Sequence, residues 1–245
     1  MAKLTNQTFI NKVLNSFKEF VDCGTSRSTA KLKPLHGAIA EDIATRLGTD
    51  YEVWSQGYGH DKEKKIDGRY IEKAVDITII NKKTNKPVTG IGVKFVMQNY
   101  SQNSNNYFEN MLGETANIRT ARCPYFQIFI ILDKLPYYKN SDELSKWEEF
   151  TDHNMSKYSA LSKDNIDTFY HTPNKTLIYV VHIEPVINNR TSTKAEYMNF
   201  YTRNKDRLTI SNSTHQYKGV MVDGTIIMND YEKFIEKVYH TIKSI

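Results

Sequence analysis

Apolar positions recur with helical spacing at both ends of the chain. Phe9, Ile10, Val13, Leu14, Phe17 and Val21 fall on one side of a helix over residues 8–21, and Leu35, Ile39, Ile43 and Leu47 mark the buried side of a second helix that stops at Gly48. Phe234, Ile235, Val238 and Ile242 give residues 231–245 the same character. Between these helices the period changes to two. Val75, Ile77 and Ile79 alternate with Asp76, Thr78 and Ile80, while Ile91, Val93 and Phe95 alternate with Gly92 and Lys94. Residues 72–80 and 88–96 therefore read as an antiparallel hairpin joined by the polar turn 81–87. A short strand over 51–55 precedes them and a helix-like segment over 105–119 follows. Continuous apolar runs at 125–132 and 176–183 are strands buried on both faces. Residues 62–65 read as loop, and 133–163 as a polar insertion with weak helical periodicity. The pattern predicts an α/β protein with a mixed central sheet flanked by helices.

Within the hairpin, period two puts Asp76 and Lys94 on one face of neighbouring strands. The simplest account of such a pair is a cross-strand ion pair. The helix that follows carries Glu109 and Glu114, which are about 500° apart at 3.6 residues per turn and so do not share a face. Glu41 stands on the helix before the first strand, where with Asp42 it also suits a solvated surface.

Asp76, the run Gly92-Val93-Lys94 and the acid-bearing helix together resemble the PD-(D/E)xK nuclease superfamily and, within it, the type II restriction endonucleases. The resemblance covers residues 41–132 and implies a restriction-endonuclease-like αβββαβ core. It also implies a Mg²⁺ ion bound by Asp76, a second carboxylate and the backbone carbonyl of Val93, with Lys94 beside the attacking water. Val75 stands where the family often has Pro, and Gly92 stands where it has Asp or Glu. The second carboxylate must then come from elsewhere, and some members carry it on the helix after the Lys strand. Glu109 is the preferred donor, with Glu114 and Glu41 as the alternatives.

Composition changes this picture little. A balance of 33 Lys plus Arg against 28 Asp plus Glu gives +5, which permits a nucleic-acid partner without demanding one. Cys23 and Cys123 lack the spacing of a zinc site or a disulfide framework, and no apolar run has the length of a membrane span. A cytoplasmic protein of one domain is expected, with a catalytic core over about 30–184 and a DNA-recognition part over about 185–230. Base- and phosphate-contacting side chains are concentrated in the second part: Arg190 and Lys194, then Arg203, Asn204, Lys205 and Arg207, then Gln216 and Lys218. Gln98 and Asn99, just beyond Lys94, are further candidates for backbone contacts, and His182 reads as a structural histidine. The expected function is a Mg²⁺-dependent, sequence-specific double-stranded DNA endonuclease acting as a homodimer. The competing readings are an inactive DNA-binding protein on the same fold and a repair or junction nuclease without sequence preference.

Overall fold

The structure, a computed structural model, describes residues 3–24, 30–188, 191–221 and 224–245. Its helices are α1 (Asn6–Cys23), α2 (Lys33–Leu47), α3 (Tyr100–Arg119), α4 (Asp152–Leu161), α5 (Lys194–Arg203) and α6 (Tyr231–Lys243). Its strands are β1 (Tyr51–Ser55), β2 (Lys64–Asp67), β3 (Glu72–Val75), β4 (Ile77–Asn81), β5 (Lys86–Val96), β6 (Tyr125–Leu132), β7 (Lys134–Tyr138), β8 (Leu144–Glu149), β9 (Lys175–Glu184), β10 (Thr209–Asn212) and β11 (Ile226–Met228). Caps bound α1 and α6 as their sequences suggest. The Thr5 side chain accepts from the Thr8 N–H and α1 ends at Gly24 with φ 63°, while the Asp230 side chain accepts from the Lys233 N–H at the start of α6.

One curled mixed sheet runs β1-β4-β5-β6-β9-β10, with β11 also pairing with β9. β5, β6 and β9 are parallel at its centre, and β4 and β10 flank them antiparallel. The two faces are distinct because side chains alternate. Ile91, Phe126 and Tyr179 share the face covered by α1 and α6, where Phe9 packs on Tyr179 and Phe126 on Phe234. The opposite face carries Gly92, Lys94, Gln127 and Phe129, and Phe129 meets Tyr100 of α3 and Tyr158 of α4. A single apolar cluster extends from Phe9 to Ile242 through both layers. Among the described residues, no helix is long and apolar enough to cross a membrane.

Three local expectations need correction. Residues 72–80 are not one strand: β3 ends at Val75, β4 starts at Ile77, and Asp76 lies in the bend between them. Val75 leaves the main sheet with β3, which pairs with β2, and both pack into a small second cluster of Ile66, Val75, Ile118 and Tyr125. The Ser55 hydroxyl donates to the Asp76 carbonyl at 2.8 Å and the Thr78 hydroxyl to the Lys64 carbonyl at 3.0 Å, fixing the crossover. Residues 64–67 form β2 and are not loop. Within 133–163, β7 and β8 form a separate antiparallel ribbon ahead of α4.

Candidate functional site

The β4–β5 ladder ends where Ile77 faces Ile91. Beyond it the N–H of Val93 has no strand partner on that side, and the Asp76 carboxylate takes the place of one: Oδ2 accepts from Val93 N–H at 2.7 Å. In extended chain the N–H and C=O of a residue point to the same edge, so the Val93 carbonyl faces Asp76 as well. Among the described residues no donor bonds the other Asp76 oxygen. Asp76, Gly92, Val93 and Lys94 form one wall of a cleft of about 160 Å³, and Gln127 and Phe129 of β6 form its floor. The other wall is α3, where Tyr107, Asn110, Met111 and Glu114 recur at helical spacing along one stripe.

Glu114 is held on both oxygens. The Tyr125 hydroxyl donates to Oε1 and the Lys73 ammonium lies 2.8 Å from Oε2. Gln127 Nε2 donates to the Tyr125 oxygen at 3.3 Å. These two side chains fill the space over Gly92, where an added Cβ would lie 2.6 Å from the Tyr125 hydroxyl and 2.8 Å from the Gln127 amide. A carboxylate at position 92 would collide with them. The Lys94 side chain extends past Tyr107, its ammonium 4.5 Å from the ring centroid.

The electrostatics follow from this packing. Burial pushes the Asp76 carboxyl up to about 6; the Val93 N–H, Lys73 and Lys94 oppose that rise, and the nearby charge of Glu114 adds to it. Burial lowers the Lys94 ammonium, with Asp76 opposing. Lys73 is raised, chiefly by its bond to Glu114. Lys31, buried just before α2, is pushed down to about 8 by burial first and by the charge of Lys94 second.

The structure therefore gathers Asp76, Val93 and Lys94 with Glu114, and it leaves Glu109 outside the cleft. Glu109 is exposed on another side of α3, where its charge acts on Lys157. Glu41 is also elsewhere, in a shallow hollow with Glu52, Tyr58 and His60 that shares no lining residue with the Asp76 cleft. Asn99 opens α3, and its amide is consumed by the Tyr138 backbone, accepting from the N–H at 2.9 Å and donating to the C=O at 3.0 Å. Gln98 is half-buried beside it. Gln127, Tyr125, Tyr107, Asn110 and Lys73 were not anticipated. A single Gln inside the apolar run 125–132 was the one sequence sign that this face holds polar chemistry.

The residues expected to read DNA do not converge on the cleft. Lys194 begins α5. Arg203 and Asn204 lie in a hollow with Thr191 and Asn199, and the Asn204 amide donates to the Phe200 carbonyl at 2.8 Å. Lys205 pairs with Asp22 at the end of α1, and Arg207 is exposed nearby. Gln216 and Lys218 are exposed next to α4, where the Lys218 N–H donates to Asp152 at 3.2 Å. Arg190 lies outside the described residues. β10, which this segment contributes, is three strands from β5, about 14 Å at the usual strand spacing. His182 is bonded at both ring nitrogens, to Asp133 at 2.8 Å and to Glu184 at 3.0 Å. Burial works against its charge, but these two carboxylates prevail and its pKa is raised.

Asp76, Glu114 and the Val93 carbonyl offer oxygen donors only, the type that Mg²⁺ prefers, and two carboxylates match the one or two that Mg²⁺ uses alongside water and phosphate. A buried carboxylate whose charge is disfavoured both by burial and by a second carboxylate nearby, as Asp76 is by Glu114, is the electrostatic condition that a divalent cation relieves. Among the described residues, no group of three or more His, Cys, Asp or Glu gathers as a self-sufficient metal cage. Compared with family models, curated proteins and solved structures, the chain finds no match.

Proposed function

We propose that this chain is a metal-dependent phosphodiesterase whose site is the Asp76 cleft. More narrowly, we read it as a Mg²⁺-dependent, sequence-specific DNA endonuclease on a restriction-endonuclease-like core. The observation that carries the reading is the grouping of Asp76, Glu114 and Lys94 around one opening at the end of the β4–β5 ladder. Asp76, Glu114 and the Val93 carbonyl would hold Mg²⁺. When bound, the ion would polarise the scissile phosphate and acidify its water.

The remaining work falls to the protein's own groups. Lys94, flexible and partly desolvated, orients the nucleophilic water and stabilises negative charge as it develops on phosphate oxygen. Val93 N–H holds Asp76 in place, so the carboxylate is oriented before substrate arrives. Tyr125 fixes Glu114 in the same way. Cutting both strands of a duplex at one place needs two such sites, and a homodimer on a palindromic sequence supplies them by symmetry.

Incubating plasmid DNA with the protein in Mg²⁺, and in parallel in EDTA, tests the reading. Discrete fragments that require Mg²⁺ support a site-specific nuclease, and smearing supports one without sequence preference. An absence of cutting with retained DNA binding supports the inactive DNA-binding alternative. The engagement of Glu114 with Lys73 favours that last reading, because the cation must displace an ammonium already in place.

A further inference from the structure

Beside the cleft stands a feature that phosphodiester hydrolysis does not use. β2 and β3 form a two-stranded ribbon off the main sheet, with Lys64 facing Val75 and Asp67 facing Glu72. Its tip is Gly68-Arg69-Tyr70-Ile71, where Tyr70 is 81% exposed and Ile71 64% exposed. The tip is held rigidly. Asn117 of α3, itself buried, accepts from the N–H groups of Tyr70 at 2.9 Å and Ile71 at 3.3 Å and donates to the Ile71 carbonyl at 2.9 Å. The Asn117 backbone carbonyl also accepts from the Arg69 N–H at 2.7 Å. Gly68 sits so close that a Cβ would lie 2.0 Å from the Asn117 amide nitrogen. A buried polar side chain thus fixes two large apolar residues in water, the reverse of what folding alone favours.

We propose that this tip contacts duplex DNA next to the scissile phosphate, with Arg69 on a phosphate and Tyr70 and Ile71 against the bases and sugars of a groove. The proposal rests on the nuclease reading of the cleft. Three observations carry it. First, the ribbon adjoins the site at its base: Lys73 reaches Glu114, and β3 leads directly into Asp76. From Tyr70 to Asp76 extended chain spans at most about 20 Å, less than one turn of duplex. Second, Lys65 pairs with Glu72 and Lys73 with Glu114, which leaves Arg69, exposed and with no ion pair among the described residues, as the cation at the tip. A two-stranded ribbon also fits the major groove. Third, the same charge argues against a second copy of the chain, since a two-fold contact through this tip would set Arg69 against Arg69.

The test is binding of a fluorescently labelled duplex of mixed sequence, followed by anisotropy across a salt series in Ca²⁺, with cleavage in Mg²⁺ measured in parallel. Arg69→Ala should weaken binding and reduce the slope of log affinity against log salt by about 0.9, the contribution of one phosphate contact. The double variant Tyr70→Ala/Ile71→Ala should weaken binding about tenfold while leaving the slope unchanged, because apolar contacts release no counterions. Both variants should melt with the parent, as their side chains are exposed. If the parent cuts DNA and both variants bind within twofold of it with its slope, this proposal is overturned and the nuclease reading stands. A parent that neither binds nor cuts overturns both. A DNA-free dimer that the double variant dissociates assigns the tip to a second copy and overturns the proposal too.

Discussion

Replacing Asp76 by Asn separates a site built for chemistry from a structural ion pair, because the two predict opposite changes in stability. The folded carboxyl titrates at about 6 against an unfolded value of 3.8. Between those values the native state holds a proton that the unfolded state has released, so stability falls as pH rises from about 4 to 6. Above 6 the whole penalty is present. Two and a fraction pH units at 1.36 kcal/mol each give about 3 kcal/mol as its upper bound. Asparagine removes the charge and keeps an acceptor for the Val93 N–H, but buries an amide NH₂ that costs roughly 1 kcal/mol if unpaired. Metal-free Asp76→Asn should therefore be more stable than the parent at pH 8 by about 1–2 kcal/mol, a rise in Tm of roughly 2–8 °C for a chain of this size.

Thermal melts in EDTA from pH 4 to 8 measure this, and the gain should shrink steadily below pH 6. Mg²⁺ at ten times its Kd should stabilise the parent by about 1.4 kcal/mol and leave the variant unmoved. The variant should not cut DNA. A variant less stable than the parent at pH 8 in EDTA would identify Asp76 as a structural anion held by Lys73 and Lys94, and the reasoning would fail. A variant that cuts at the parent's rate would refute the site itself.

The other expectations concern the walls of the cleft. Glu114→Gln should raise the Mg²⁺ concentration needed for cleavage at least tenfold while Glu109→Gln leaves it unchanged, as read from activity across a Mg²⁺ titration. Lys73→Met frees Glu114 of its competing ammonium, so Mg²⁺ should bind more tightly by calorimetry; unchanged or weaker binding would count against Glu114 as a ligand. Lys94→Met should lower the cleavage rate by at least about a hundredfold without loss of stability in denaturant melts, since methionine keeps the apolar stem and removes a partly desolvated ammonium. Gly92→Ala should cost about 1–3 kcal/mol of stability by the same assay, because its methyl must displace Tyr125 or Gln127.

How much of this was legible in the sequence depends on what each signal measures. Periodicity located α1, α2, α6 and the strands β5, β6 and β9, because each of them buries a continuous apolar face. It could not show the break at Asp76, since Val75, Ile77 and Ile79 are all buried and keep period two across it. What changes there is the partner: Val75 packs with Ile66 and Ile118, while Ile77 belongs to the main cluster. β7 was hidden by Pro136, which is tolerated because a two-stranded ribbon has free edges. The choice between Glu109 and Glu114 was open to inspection. Met111, Thr115 and Ile118 are the buried stripe of α3, and Glu114 is three positions from Met111 and four from Ile118, whereas Glu109 shares neither spacing. Spacing from Lys94 was the weaker guide, because it counts along the chain and ignores which face the helix turns to the sheet.

Gly92 acquires its meaning from the same register. Parallel pairing sets Gly92 opposite Gln127 and Gly90 opposite Tyr125, so both β6 side chains lean over the position where a carboxylate on β5 would start. The Tyr125 hydroxyl, driven far above its ordinary pKa by burial and by Glu114, stays protonated and donates to that glutamate. The side chain that excludes an acid from β5 is thus the one that positions the acid supplied by α3. In the proposed cation site, then, exclusion and replacement are one interaction. Tyr125→Phe should separate them: space over Gly92 stays filled, the hydrogen bond to Glu114 is lost, and the Mg²⁺ requirement for cleavage should rise although the fold is kept. An unchanged Mg²⁺ requirement in Tyr125→Phe would mean that Glu114 is oriented by Lys73 alone, and the link between Gly92 and the migrated carboxylate would be broken.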